Sequence, residues 1–151
     1  MSRPSIYEAA GGMPAFVALA AAHHERCLAD PELQHAFSHG GKHDHLDRLA
    51  AYWAEALGGP PTYSHAYGGH SAMVNLHAGE GIGADWSRRF VDCFVSAADD
   101  AGLPADPDLR AALRAYMEWA TAELEPYAPA GSVVPPALAM PHWSWDGLDR
   151  R

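Results

Sequence analysis

Two adjacent histidines in "AAAHHERCLADPEL", residues 20–33, are the first residues in this chain whose placement calls for chemistry. Phe16, Leu19 and Ala20 set an apolar stripe at helical spacing, His23 and Cys27 continue it, and His24 sits on its flank. Polar rings on the inward side of a helix are either hydrogen-bonded within the core or aimed at something that is not protein. The chain holds ten histidines. Imidazole is the commonest protein metal ligand and the side chain whose charge changes most readily near neutral pH. His45 borders the apolar face of a second helix, and His70, Met73, Val74 and His77 share one side of a third. Metal ligation, hydrogen bonding to a bound ligand and proton transfer are the chemistries open to such a set.

The elements that must carry these residues are all helical. Ser5, three residues ahead of Glu8, forms a capping signal for a short first helix, and Gly11-Gly12 ends it. A helix from Met13 to Ala29 stops at Asp30-Pro31, and Pro31 suits the first turn of a short helix, "PELQHAF". After the loop "SHGGKHD" comes "HLDRLAAYWAEAL", in which Leu46, Leu49, Ala50, Trp53, Ala56 and Leu57 recur with a 3.6-residue period. "GGPPTY" is a hard stop, "SHAYGG" reads as a loop, and "HSAMVNLH" as a short helix broken by "AGEGIG". Two longer helices follow, one marked by Trp86, Phe90, Cys93, Phe94 and Ala97, the other by Leu109, Leu113, Tyr116, Ala120 and Leu124. No stretch alternates as a strand does, and no internal repeat is evident, so the predicted class is all-α. The division expected is a helical domain over residues 1–125 and a Pro/Trp-rich extension over 126–151. Proline excludes a long helix in that extension, while Trp143 and Trp145 favour its docking on the domain.

The totals narrow the function. A chain of 151 residues, 48% hydrophobic and 19% charged, is long enough for one domain with a proper core. A formal net charge of −9 disfavours nucleic acid and anionic membranes as partners. The N-terminal "MSRPSIYEAAGG" lacks the apolar core of a signal peptide, and no apolar run approaches a membrane span, so a cytoplasmic location is expected. Cys27 and Cys93 are far apart and form no CxxC arrangement; they read as reduced core thiols. Phosphate loops, GxGxxG, HExxH and GxSxG are all missing. The acidic residues fall mostly on polar helical faces, with no buried pairing.

What remains is His24, His45 and His77 on three separate helices, amid Phe37, Leu49, Met73, Trp86 and Phe90. A cavity lined this way suits a flat apolar cofactor with a metal at its centre. Haem iron needs one proximal imidazole, apolar walls and a few polar groups opposite. A non-haem site would want carboxylates or cysteines at ligand spacing, and none stands out.

The order of these pieces resembles the group II truncated haemoglobins, the two-over-two globins of bacteria, from about Ser5 to about Leu124. "SIYEAAGGMPAF" is similar to that family's opening helix and Gly-Gly turn, and "DPEL" to the step after its second helix. "YWAEALGGPPTYS" resembles its "Q-Y-W-G-G-P-x-x-Y-S" passage. "HSAMVNLHA" stands in place of "H-P-x-L-x-x-x-H", and "ADWSRRFVDC" in place of "D-A-W-L-x-C-M". The resemblance implies a two-over-two helical sandwich around haem b, with His77 as the iron ligand. It places Trp86 and Phe37 beside the bound ligand, and Leu49 and His45 on the distal helix facing iron, His45 nearer the pocket entrance. Arg48 and Tyr63 fall where a haem propionate is met, and Met73, Leu76 and Phe90 fall among the cofactor-contacting residues. His24 stands where most relatives carry tyrosine, and His23 where they carry an aromatic residue.

Three departures shape the expected function. Histidine replaces the tyrosine whose hydroxyl usually holds bound oxygen. A second histidine, His45, replaces a small residue. The connection from His77 to Trp86 is shorter than in typical relatives. The expectation is a haem globin that binds oxygen, CO and NO. His24, His45 and Trp86 form the catalytic set for peroxidase-like or nitric-oxide-oxidising turnover, with peroxide as a substrate and an unidentified electron donor. His45 or His24 as a sixth iron ligand is a variant of that reading, and a homodimer is a further expectation. The rivals are a haem-less sensory or partner-binding module, with His70 as the fallback ligand should haem bind elsewhere, and a zinc or nickel binder.

Overall fold

The computed structural model describes residues 3–34 and 44–149. Seven α-helices run through them: α1 (Ile6–Ala10), α2 (Met13–Ala29), α3 (His45–Ala56), α4 (Thr62–Ala66), α5 (Gly69–His77), α6 (Ala84–Asp100) and α7 (Pro107–Leu124). Phe37 and most of the expected "PELQHAF" helix lie outside the described residues; Pro31–Leu33 form a turn.

Local chemistry explains the boundaries. Ser5 Oγ accepts from the Glu8 amide at 3.1 Å and caps α1, and Asp106 caps α7 in the same manner through Asp108. Gly11 and Gly12 have φ of 121° and 74°, which reverses the chain into α2. At the end of α3, a Cβ on Gly59 would fall 2.7 Å from the Ala54 carbonyl oxygen and 2.9 Å from the Tyr7 ring. Only glycine lets that end close against α1.

The core follows from the stripes. α2 packs along α3 and along α6, and α6 along α7, giving two layers of paired helices. Phe16, Leu19, Phe94, Leu109, Leu113 and Tyr116 are all almost fully buried in one cluster. A second, smaller cluster of Val74, Leu124 and Val134 lies under α5.

Two expectations are corrected. The segment read as the loop "SHAYGG" is partly helical, because α4 occupies Thr62–Ala66. Glu55, expected on a polar face, is buried at 3% exposure. These corrections share one cause. The Glu55 carboxylate accepts from the Ser64 amide at 2.9 Å and from the Ser64 hydroxyl, so a buried charge holds the first turn of α4 in place. The chain also ends in a small antiparallel hairpin, β1 (Trp143–Ser144) with β2 (Gly147–Leu148), Trp143 paired to Leu148. Trp145 donates its indole N–H to the Pro4 carbonyl at 2.8 Å, and the Arg3 guanidinium lies 3.6 Å from the centroid of its ring. Trp143 packs on Tyr116 and Trp119. No described helix is long and apolar enough to cross a membrane.

Candidate haem site

His77 is the last residue of α5, and its ring is half-buried. Its Nδ1–H donates to the Met73 carbonyl at 2.8 Å, one turn back in the same helix. That bond selects the tautomer. With the proton on Nδ1, Nε2 carries a lone pair available to a metal. Burial holds the pKa below 6.5, which keeps the ring neutral and able to ligate.

His70, two turns earlier on α5, has no such freedom. It is 4% exposed, the Tyr52 hydroxyl donates to its Nδ1 at 2.7 Å, and its Nε2–H donates to Glu123 Oε1 at 2.5 Å. Both nitrogens are committed, so the fallback ligand is a structural bridge between α3, α5 and α7.

His24 on α2 and His45 on α3 face each other, their ring centroids 5.5 Å apart at 61°. Burial lowers the His45 pKa most, the charges of His24 and His77 lower it further, and Asp44 opposes them. His23 behaves differently. It is fully buried and meets Phe90, Trp53 and Phe94 edge-on at 4.4, 5.4 and 5.9 Å. Its Nε2–H donates to the Phe90 carbonyl at 3.3 Å, and desolvation pushes its pKa down to about 4. His23 is a neutral core ring, whereas His24, one residue on, meets the His45 ring of α3.

Trp86 and Phe90 stack at 5.2 Å on α6, and both are half-buried. Leu49 and Met73 pack against the main core, and Leu76 is 52% exposed. Arg48 pairs with Asp44 at 2.9 Å and lies 4.6 Å from the Tyr67 ring centroid; burial raises the Tyr63 phenol's pKa and the Arg48 charge opposes that rise. Among the described residues, no three His, Cys, Asp or Glu side chains converge as a metal cluster. The zinc or nickel reading therefore finds no donor set there.

Sequence reasoning missed the Tyr52–His70–Glu123 bridge and the Glu55–Ser64 contact. The bridge joins positions 18 and 53 residues apart, and no local pattern marks them as partners.

The described residues thus offer one imidazole whose Nε2 is available to a metal, a further pair of imidazoles, and a stacked aromatic pair. Comparison with known proteins gives the family. The family described as bacterial-like globin matches residues 5–121. The haemoglobin of the thermophilic phototroph Chloroflexus aurantiacus shares 28% identity over 81% of this chain and 98% of its own, with a TM-score of 0.69. A thermostable haemoglobin from Thermobifida fusca shares 31% over 80% and 96%, with a TM-score of 0.68. The group II truncated haemoglobin of Bacillus anthracis, at 19% identity over 81% and 96%, shares the fold with a TM-score of 0.71. No curated protein sequence gives a match. The chain belongs to the bacterial-like globin family, and its helices take the group II truncated haemoglobin fold.

Proposed function

We propose that this globin holds haem b through His77 Nε2 and binds oxygen, CO and NO on the face lined by His24, His45 and Trp86. The observation that carries this reading is the His77 Nδ1–Met73 carbonyl bond, which selects the tautomer that leaves Nε2 able to ligate. Bound haem supplies an iron centre that takes diatomic ligands and exchanges electrons.

The chain supplies the rest. Met73 orients the proximal ring and raises its donor strength. Leu49, Met73, Phe90 and the rim residue Leu76 offer apolar surface to the porphyrin, and Arg48 with Tyr63 offers donors to a propionate. The His24 and His45 rings and the Trp86 indole are N–H donors for a bound diatomic carrying partial negative charge. A neutral His45, its pKa lowered by burial, would accept a proton from peroxide and return it to the leaving oxygen, which is the basis for peroxidase-like turnover with an external electron donor.

Absorption spectra of the ferric, ferrous and CO-bound protein test the reading. A Soret band lost in His77→Ala is expected; a purified chain that takes up no haem would favour the sensory module instead. Rapid mixing of the ferric protein with hydrogen peroxide tests the redox part, which fails if no reductant is consumed.

A further inference from the structure

Helix α5 is tied to α3 and α7 through His70, and a stretch beyond the matched globin region holds it from another side. Gly79 and Gly81, just after His77, donate their amides to the Tyr127 and Ala128 carbonyls at 2.8 and 2.9 Å. Ser71, near the start of α5, donates its hydroxyl to the Pro135 carbonyl and accepts from the Leu138 amide, both at 2.8 Å. Val134 and Val74 share the second core cluster, against which Met73, Ala78, Tyr127 and Leu138 pack. Met73 is the residue whose carbonyl holds His77, and Ala78 is the residue that follows it. The segment Glu125–Leu138 therefore holds the chain near the start of α5 and just past its end, and shares a core cluster with Met73 and Ala78, the hydrogen-bonded and covalent neighbours of His77.

The segment is suited to being a brace. Pro126, Pro129, Pro135 and Pro136 restrict its backbone, so little conformational entropy is lost on docking. Ala137 sits at φ 60°, the left-handed region that a side chain resists, and Ser71 bridges Pro135, two residues before it, and Leu138, directly after it. Such a conformation persists only where surrounding contacts hold it.

We propose that residues 125–138 form a proximal strap that fixes the orientation of His77, with Ser71 as the positioning residue through which it acts. The strap thereby sets how firmly haem iron holds a diatomic. The inference rests on His77 being the iron ligand, but its first test does not need haem.

In the full-length chain without haem, nitrogen NMR of His77 and amide exchange at Gly79 and Gly81 report the strap directly. Ser71→Ala should let the His77 tautomers mix and speed exchange at both glycines on the order of tenfold. Ser71→Thr keeps the hydroxyl and should preserve the native signals, and Val133→Ala, at an 85% exposed strap position, should change nothing. Val134→Ala is the second route should Ser71→Ala fold poorly, with the same result expected. In the haem-loaded protein, Ser71→Ala should shift the iron–histidine stretching frequency and speed CO dissociation on the order of tenfold. Unchanged tautomer and exchange in both Ser71→Ala and Val134→Ala overturn the strap, as does an equal loss in Val133→Ala. A native chain without a Soret band sinks the haem reading alone, because the NMR arm still decides the strap.

Discussion

His24 and His45 face each other across α2 and α3 with ring centroids 5.5 Å apart, while His23, one residue from His24, is locked edge-on into the core 4.4 Å from Phe90. Adjacent residues on a helix point about a quarter-turn apart, so one step along the chain separates a ring packed in the core from one that meets a second imidazole. The proposed distal chemistry depends on that step.

Removing the distal donors should weaken retention of oxygen. A hydrogen bond to the bound ligand is worth about 1 kcal/mol or more, so His24→Ala and His45→Ala should each speed oxygen dissociation on the order of tenfold. Stopped-flow displacement by CO measures this. If His45 instead occupies the sixth iron position, the ferric protein shows a low-spin spectrum that turns high-spin in His45→Ala. Identical oxygen dissociation rates in native and both variant proteins would reject a distal role.

The two histidines of α5 should separate cleanly. His77→Ala should lose the Soret band with the fold intact by circular dichroism. His70→Ala should keep haem binding but cost about 2 kcal/mol in urea unfolding, because the buried Tyr52 hydroxyl and the Glu123 carboxylate lose their shared partner. Haem loss in His70→Ala with retention in His77→Ala would reverse the assignment.

Acid should destabilise the protein through His23 before the carboxylates titrate. Its folded pKa of about 4 lies below the ordinary 6.5, so the unfolded chain takes up a proton that the folded chain refuses. The contribution is fully present above pH 6.5 and is lost as pH falls toward 4. The shift corresponds to about 3 kcal/mol at most. His45 and His77, also lowered by burial, act in the same direction. Unfolding free energy against pH should flatten over this window in His23→Phe; an unchanged slope would show that His23 is not responsible.

Glu55 holds α4, and α4 carries Tyr63 into the core. Glu55→Ala should leave the Ser64 amide and hydroxyl without their acceptor and cost about 2–3 kcal/mol by chemical denaturation. Because Tyr63 meets Arg48, the same variant should also release haem faster to an acceptor globin, as should Arg48→Ala. A variant with native stability and native haem retention would show that the carboxylate is dispensable.

The sequence by itself determined the helices, their apolar stripes, the family and the ordering of His24, His45, His77, Trp86 and Phe90 along them. Those features are written in local periodicity, in caps and glycines, and in motifs that neighbouring residues carry together. It assigned the ligand to His77, with His70 as the fallback, by family resemblance alone; the physical difference between two histidines on one helical face lies in Tyr52 and Glu123, distant in the chain. It gave no sign that Glu55 is buried and read "SHAYGG" as a loop, because a carboxylate's burial depends on donors that arrive only when α4 folds against α3. It read the proline-rich tail as a docked extension without finding its target. Hydrogen bonds from Gly79, Gly81 and Ser71 to carbonyls more than forty residues downstream have no sequence period, so only the tertiary structure shows the tail gripping the helix that carries His77.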